Sequence, residues 1–241
     1  MKLEAVIFDM DGTLVDSEPL WFESDRRFVE RFGGTYDDAF RNECVGMGSK
    51  KFALLIKEKF GLSQGIDELL DIKHRLYMEV ARGQTKPFPE MVKLVKGFAV
   101  QKMPMAVASG SSLEIIEATL KEAGLRDSFG PHVYSCDEVA QTKPAPDIFL
   151  HVAKKLGVAP HDILVFEDSQ YGVEAAKAAG MKVCAVPQVW PEQGRLSLQK
   201  ADLLFRKGMA EFTAEAVLDW IDTAYCLCAD CTLYELGRCN D

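Results

Sequence analysis

No apolar run anywhere in this 241-residue chain approaches the roughly 20 residues that a helix needs to cross a bilayer, so a membrane-spanning helix is excluded. Positive charge is also short, with 28 Lys and Arg against 37 Asp and Glu for a formal charge of −9. That balance argues against nucleic acid as the main partner, because holding a polyanion relies on clustered Lys and Arg. It does not exclude a phosphate monoester, for which one cation and one lysine suffice locally. A leader-like apolar segment is missing as well: Met1 and Lys2 run straight into a short apolar stretch that ends in acids, and a cytoplasmic protein is expected. The chain has 7 cysteines but no twin C-x2-C pairs. Cys44, Cys136 and Cys184 stand singly and read as buried thiols of a reducing compartment. Cys226, Cys228, Cys231 and Cys239 crowd into the end of the chain, where their spacing allows zinc or disulfides but does not fit the usual twin zinc knuckles; a loosely ordered tail over 226–241 is expected.

What the chain does have is concentrated near its start. The apolar run Ala5-Val6-Ile7-Phe8 reads as a buried strand, and it is followed at once by Asp9-Met10-Asp11-Gly12-Thr13. In extended backbone, residues two apart point to the same side, so the carboxylates of Asp9 and Asp11 can share one small volume. Two such acids repel and need a proton or a cation between them. Mg²⁺, bound by oxygen ligands, meets that need and also accepts a phosphoryl oxygen. With the metal in place, one acid can attack as a nucleophile while the other donates a proton to the leaving group. Taken alone, the pair of acids leaves open a solvated acidic turn, a metal site or catalysis.

The longer string Asp9 to Ser17, DMDGTLVDS, resembles the first motif of the haloacid dehalogenase-like (HAD) hydrolase superfamily, a family of mostly Mg²⁺-dependent phosphatases working through an aspartyl-phosphate. The resemblance extends over about residues 3 to 222, and the family's other motifs follow in order. Met105-Ala106-Val107-Ala108 leads into Ser109-Gly110-Ser111-Ser112, matching a strand that ends in a phosphate-binding serine. The helix after it would offer unpaired N–H groups to an anion. Ser109 and the Gly110 N–H are the implied phosphate contacts, while Ser111 or Ser112 would serve as N-cap. Thr142-Lys143-Pro144-Ala145-Pro146-Asp147-Ile148-Phe149 fits the family's K-P-x-P-x-x-[FY] string, in which the lysine, here Lys143, neutralises phosphate and nucleophile together. The strand Ile163 to Phe166 ends in Glu167-Asp168-Ser169. The resemblance implies Asp168 as an inner Mg²⁺ ligand with the Asp9 carboxylate and the Asp11 carbonyl, and Glu167 as an inner or water-mediated one. Read without the family, Ser169 is a helix N-cap and Glu167 a favourable charge near a helix start.

Strands alternate with helices from Glu90 onward, which predicts an α/β fold: a doubly wound, Rossmann-like parallel sheet with helices on both faces. Between the first motif and Phe88 the apolar spacing is helical over 18–32, 50–60 and 66–82, with few strand signals. The resemblance makes this insertion an α-helical cap. The expected division is therefore a catalytic core of 1–15 and 89–225, a cap of 16–88 and the cysteine-rich tail. The cap loop Val45 to Lys51, with two glycines and two lysines, is the segment best suited to touch substrate, and Trp21 and Phe22 either line a pocket mouth or pack as core.

Departures from relatives sort the alternatives. Haloacid dehalogenases and phosphonate-cleaving relatives lack an acid two residues after the nucleophile, so Asp11 favours phosphoryl chemistry. β-Phosphoglucomutase has a histidine and an arginine where Trp21 and Ser49 stand here. The expected function is hydrolysis of a small phosphorylated metabolite (a sugar phosphate, polyol phosphate or nucleoside monophosphate) by a Mg²⁺-dependent monomer, with Asp9 as nucleophile and Asp11 as acid and base. A sugar phosphomutase is the alternative, and a catalytically silent binding protein on the same fold a further one. The latter would be expected to have lost Asp9, Asp11, Lys143 or Asp168, and all four are present.

Overall fold

The computed structural model describes residues 2–44, 48–188 and 195–225. Along the chain, β1 (Ala5–Phe8) is followed by α1 (Glu18–Arg31), α2 (Asp38–Cys44), α3 (Ser49–Lys59) and α4 (Ile66–Ala81). The alternating part then runs α5 (Pro89–Val100), β2 (Met105–Ser109), α6 (Leu113–Glu122), β3 (Val133–Ser135), α7 (Asp147–Leu156), β4 (Ile163–Glu167) and α8 (Gln170–Ala178). It closes with β5 (Lys182–Ala185), α9 (Arg195–Leu198), β6 (Leu203–Leu204) and α10 (Ala214–Ala224). These elements form two compact units, one made of the residues up to Asp16 together with those from Pro87 onward, the other of Ser17–Lys86.

In the first unit the described strands form a 6-stranded sheet, every pairing parallel, in the order β3-β2-β1-β4-β5-β6. The doubly wound parallel sheet expected from the alternation is thus the observed one. β1 is central and wholly buried, as a strand must be when helices cover both faces of its sheet. Its Ile7 side joins Ala106, Ala108, Val165 and Val183 beneath α7 and α8, which contribute Ile148, Phe149, Val152, Val173, Ala175 and Ala176. Its Phe8 side stacks on Phe166 with ring centroids 4.9 Å apart and meets Phe129 edge-on. Register places Phe8 opposite both Val107 and Phe166, so the next residue on β1, Asp9, emerges level with the ends of β2 and β4. Chain order moves outward from β1 to β3 and then crosses back to β4, which puts a topological switch point beside β1. Crevices at such points are where open α/β sheets hold ligands.

The second unit is helical. Phe28, Val29, Phe52, Ala53, Ile56 and Leu69 are the heart of its own core. Lys73 is buried there, ion-paired with Asp25, its ammonium 4.7 Å from the Trp21 ring centre and 5.0 Å from that of Phe52. Trp21 stacks on Tyr77 at 3.9 Å, and Phe22 lies against Tyr36 at 5.7 Å. α2 was not expected from the apolar spacing; its short span, with Phe40 and Cys44 facing the core, carries too few positions to register as periodic. Of the loop Val45 to Lys51, the first three residues lie outside the described residues, while Ser49, Lys50 and Lys51 are exposed at the start of α3. The cysteine-rich tail over 226–241 also lies outside them. Cys44, Cys136 and Cys184 are free and buried. No helix among the described residues is long and apolar enough to cross a membrane.

Candidate functional site

Three strand ends build the centre of the site. Asp9 leaves β1 with its backbone N–H donating to the Phe166 carbonyl at 2.9 Å, which keeps it in line with β4 for one residue more. The chain then turns back on itself: the N–H groups of Leu14 and Val15 donate to the Met10 carbonyl and that of Gly12 to the Val15 carbonyl. Gly12 takes a φ of +74°, and a Cβ there would overlap the Asp168 carboxylate. Glycine is thus required on both backbone and contact grounds, and its absent side chain lets Asp168 press against the loop that carries Asp9 and Asp11.

Lys143 arrives between β3 and α7. Its ammonium lies 2.6 Å from Asp9 Oδ1 and 2.6 Å from Glu167 Oε1, and donates to the Ala108 carbonyl at 3.1 Å. The other Glu167 oxygen accepts from the Ser169 N–H and hydroxyl, both at 3.0 Å. Glu167 is only 1% exposed, and a Cβ on Gly172 would overlap its carboxylate. Ser169 has both roles open to it: it caps α8 by accepting from the Gly172 N–H at 3.0 Å, and its own proton goes to Glu167.

Electrostatically the site is short of positive charge. Burial pushes the Asp9 carboxyl up to about 8, with Glu167 and Asp11 adding to the push and Lys143 opposing it. Burial disfavours the Lys143 ammonium too, but the facing carboxylates of Asp9 and Glu167 outweigh it and hold its pKa above the ordinary lysine value. Lys143 is therefore charged, and the upward push on Asp9 comes first from burial and then from the acids that share its single ammonium. Among the described residues no three acidic, histidine or cysteine side chains are already gathered as a ready ligand cage. The donor set nevertheless suits a hard divalent cation: oxygen ligands only, with Asp9, Asp11 and Asp168 on two adjoining loops and excess negative charge to neutralise.

Ser109 ends β2 and is fully buried; its hydroxyl is 3.3 Å from Asp11 Oδ2. The expectation that Ser111 or Ser112 caps α6 through its side chain is corrected. Ser112 is the N-cap by position, but its hydroxyl makes no cap bond, and the Ser111 hydroxyl donates instead to Asp11 Oδ2 at 2.8 Å. Gly110 follows Ser109 in the same turn, with open space where a Cβ would be. The structure thus brings Asp9, Lys143 and Glu167 into direct contact, links Asp11 to Ser109, and sets Asp168 against Gly12.

Two contacts were not foreseen. The Gln188 amide donates to the Gly12 carbonyl at 2.9 Å, and Ser111 holds Asp11. Neither had a signal in sequence: a serine beside a helix start reads first as a local cap, and nothing ties Gln188 to a residue 176 positions away.

Comparison with known proteins bears on this geometry. A family model described as haloacid dehalogenase-like hydrolase matches residues 3–180. A phosphorylated carbohydrates phosphatase of Thermotoga maritima is 32% identical over 75% of this chain and 83% of its own. A fructose-1-phosphate phosphatase of Escherichia coli is 36% identical over 75% of this chain and 94% of its own. The crystal structure of a HAD hydrolase, family IA, variant 3, from Entamoeba histolytica superposes with a TM-score of 0.78 at 25% identity, covering 90% of this chain and 99% of that one.

Proposed function

The chain belongs to the haloacid dehalogenase-like hydrolase family, and on that premise we propose that it is a Mg²⁺-dependent phosphatase of a small phosphorylated metabolite such as a sugar phosphate. The observation that carries this reading is the Lys143 ammonium held 2.6 Å from both Asp9 and Glu167 at the switch point, with Asp11 two residues beyond Asp9. A buried, charged lysine touching a candidate nucleophile is suited to bind the anion which that nucleophile attacks.

In this mechanism an Asp9 carboxylate oxygen attacks phosphorus as the bond to the alcohol oxygen breaks. Asp11 passes its proton to that oxygen, so the alcohol leaves neutral. Asp11, now a carboxylate, takes a proton from water as the water attacks the aspartyl-phosphate; phosphate departs and Asp9 is restored. Lys143, the Ser109 hydroxyl and the Gly110 N–H hold the phosphoryl oxygens. Mg²⁺ would be held by the Asp9 carboxylate, the Asp11 carbonyl and Asp168, and Glu167, whose oxygens accept from Lys143 and Ser169, would serve as an inner or water-mediated ligand. When bound it neutralises charge between nucleophile and phosphoryl group.

We assign substrate selection to the helical unit. It leaves the first unit just after the Asp9 to Val15 turn and returns at Pro87, which bridges Val15, while the Phe88 N–H donates to the Leu14 carbonyl at 3.0 Å. We propose a monomeric, cytoplasmic enzyme; the phosphatase relatives support a small phosphorylated substrate, and the three free buried thiols accord with a reducing compartment.

The test is phosphate release from a panel of sugar, polyol and nucleoside monophosphates with Mg²⁺ and with chelator. Release that requires Mg²⁺ and disappears in Asp9→Asn is expected. Retained turnover in that variant would overturn the nucleophile, and transfer of phosphate between sugar positions without release would establish a mutase instead.

A further inference from the structure

Building on the acid and base role proposed for Asp11, we infer that Ser111 is a positioning residue for the Asp11 carboxylate and that Ser135 holds Ser111 in place. The hydrogen-bond directions leave little freedom. Ser135, at the end of β3, accepts the Asp137 N–H at 3.1 Å and sends its own proton to the Ser111 carbonyl at 2.7 Å. Its backbone N–H donates to Glu138 at 2.8 Å, which completes a reciprocal cap and fixes Ser135 to its own turn. Ser111 is thereby anchored by its carbonyl. Its N–H donates to the Ser109 hydroxyl at 3.1 Å, and its hydroxyl proton goes to Asp11 Oδ2 at 2.8 Å. Ser111 is 8% exposed and Ser135 1%, and the bond between them is buried.

The two serines near Asp11 divide the work. Ser109 lies at 3.3 Å from the same oxygen, a weak contact that frees its single proton to turn to a phosphoryl oxygen. Ser111 keeps the shorter bond. With Oδ2 occupied by a donor, the proton destined for the leaving alcohol is carried by Oδ1. Proton delivery depends on that orientation, because a general acid works only within hydrogen-bond reach of the atom it protonates.

The experiment compares kcat/KM for two leaving groups, since this constant covers the steps up to departure of the alcohol. One substrate is the alkyl monoester turned over fastest in the panel above; the other is p-nitrophenyl phosphate, whose phenolate leaves without a proton. Ser111→Ala is expected to lose about 10- to 100-fold on the alkyl ester and only about 3-fold or less on the aryl ester. Ser111→Thr, which keeps the hydroxyl, is expected to restore most of the alkyl activity. Ser135→Ala is expected to show a smaller loss of the same selectivity, and the double variant no more than Ser111→Ala alone. The ratio of the two activities within one variant is unaffected by any fraction that fails to fold. Equal losses on both esters, or no loss, would overturn the positioning role while leaving the phosphatase reading intact. A wild-type protein that hydrolyses neither ester would overturn both.

Discussion

Lys143 and Asp9 are 134 positions apart in the chain, and the ammonium of one lies 2.6 Å from a carboxylate oxygen of the other. Glu167, from a third segment, takes the opposite side of the same ammonium at 2.6 Å. The cation is what makes it tolerable to bury these acids, and removing it exposes their mutual repulsion.

Lys143→Met is expected to abolish phosphate release and to lower unfolding free energy by about 3 kcal/mol, because it strands Glu167 and Asp9 without a partner. Lys143→Met combined with Glu167→Gln should regain much of that stability and none of the activity. Urea denaturation of the two single variants and the double variant in chelator measures the coupling; purely additive losses would contradict it.

Gly172→Ala reverses the usual rule for helices. Alanine inside a helix normally stabilises by up to about 1 kcal/mol relative to glycine. Here the added methyl would occupy the space of the Glu167 carboxylate, so the variant is expected to melt lower and to lose activity as Glu167 is displaced from Lys143. A thermal melt and one activity assay suffice, and a rise in Tm with full activity would refute the packing argument.

Ser112 and Ser169 both occupy N-cap positions, yet they should respond differently. Ser169 accepts the Gly172 N–H and donates to Glu167, so Ser169→Ala is expected to cost about 1 to 2 kcal/mol. Ser112 makes no side-chain cap bond, so Ser112→Ala should cost under about 0.5 kcal/mol. Parallel chemical denaturation separates the two.

On α1, the side-chain hydrogen bonds of Arg26 and then Arg27 hold the Glu23 carboxyl down at about 2, from an ordinary value of 4.5. A depressed acid stabilises the folded state above its unfolded pKa, so the contribution is complete above about pH 5 and fades as pH falls through 4.5 toward 2. Because the pair is largely solvated, the effect is roughly 0.5 kcal/mol. Glu23→Gln should therefore lower stability at pH 7 and leave it nearly unchanged at pH 2.5, as read by denaturant midpoints at the two values. A difference that persists at low pH would exclude the ion pair as its cause.

The α/β sheet was legible because buried parallel strands such as Ala5 to Phe8 and Ile163 to Phe166 are unbroken apolar runs, each bounded by acids. The helices of the second unit were legible where several turns repeat the pattern, as in Ile66–Ala81, and α2 was not, being two turns long. Lys143 stood out through its prolines. The hydroxyl of Ser111 carried no mark of its destination, because a serine beside a helix start has a local use that competes with any distant one.

The sequence by itself determined that acids, serines and a lysine stand at the ends of strands or beside prolines, since those signals are local in the chain. Tertiary structure decided which of them touch. The register of β1 between β2 and β4 brings Asp9 level with Ala108, next to Ser109, and with Glu167, and the crossing from β3 to β4 carries Lys143 to the gap between acids. Ser111 turns away from its own helix because the Asp11 carboxylate, at 2.8 Å, is a stronger acceptor for its proton than any neutral group nearby.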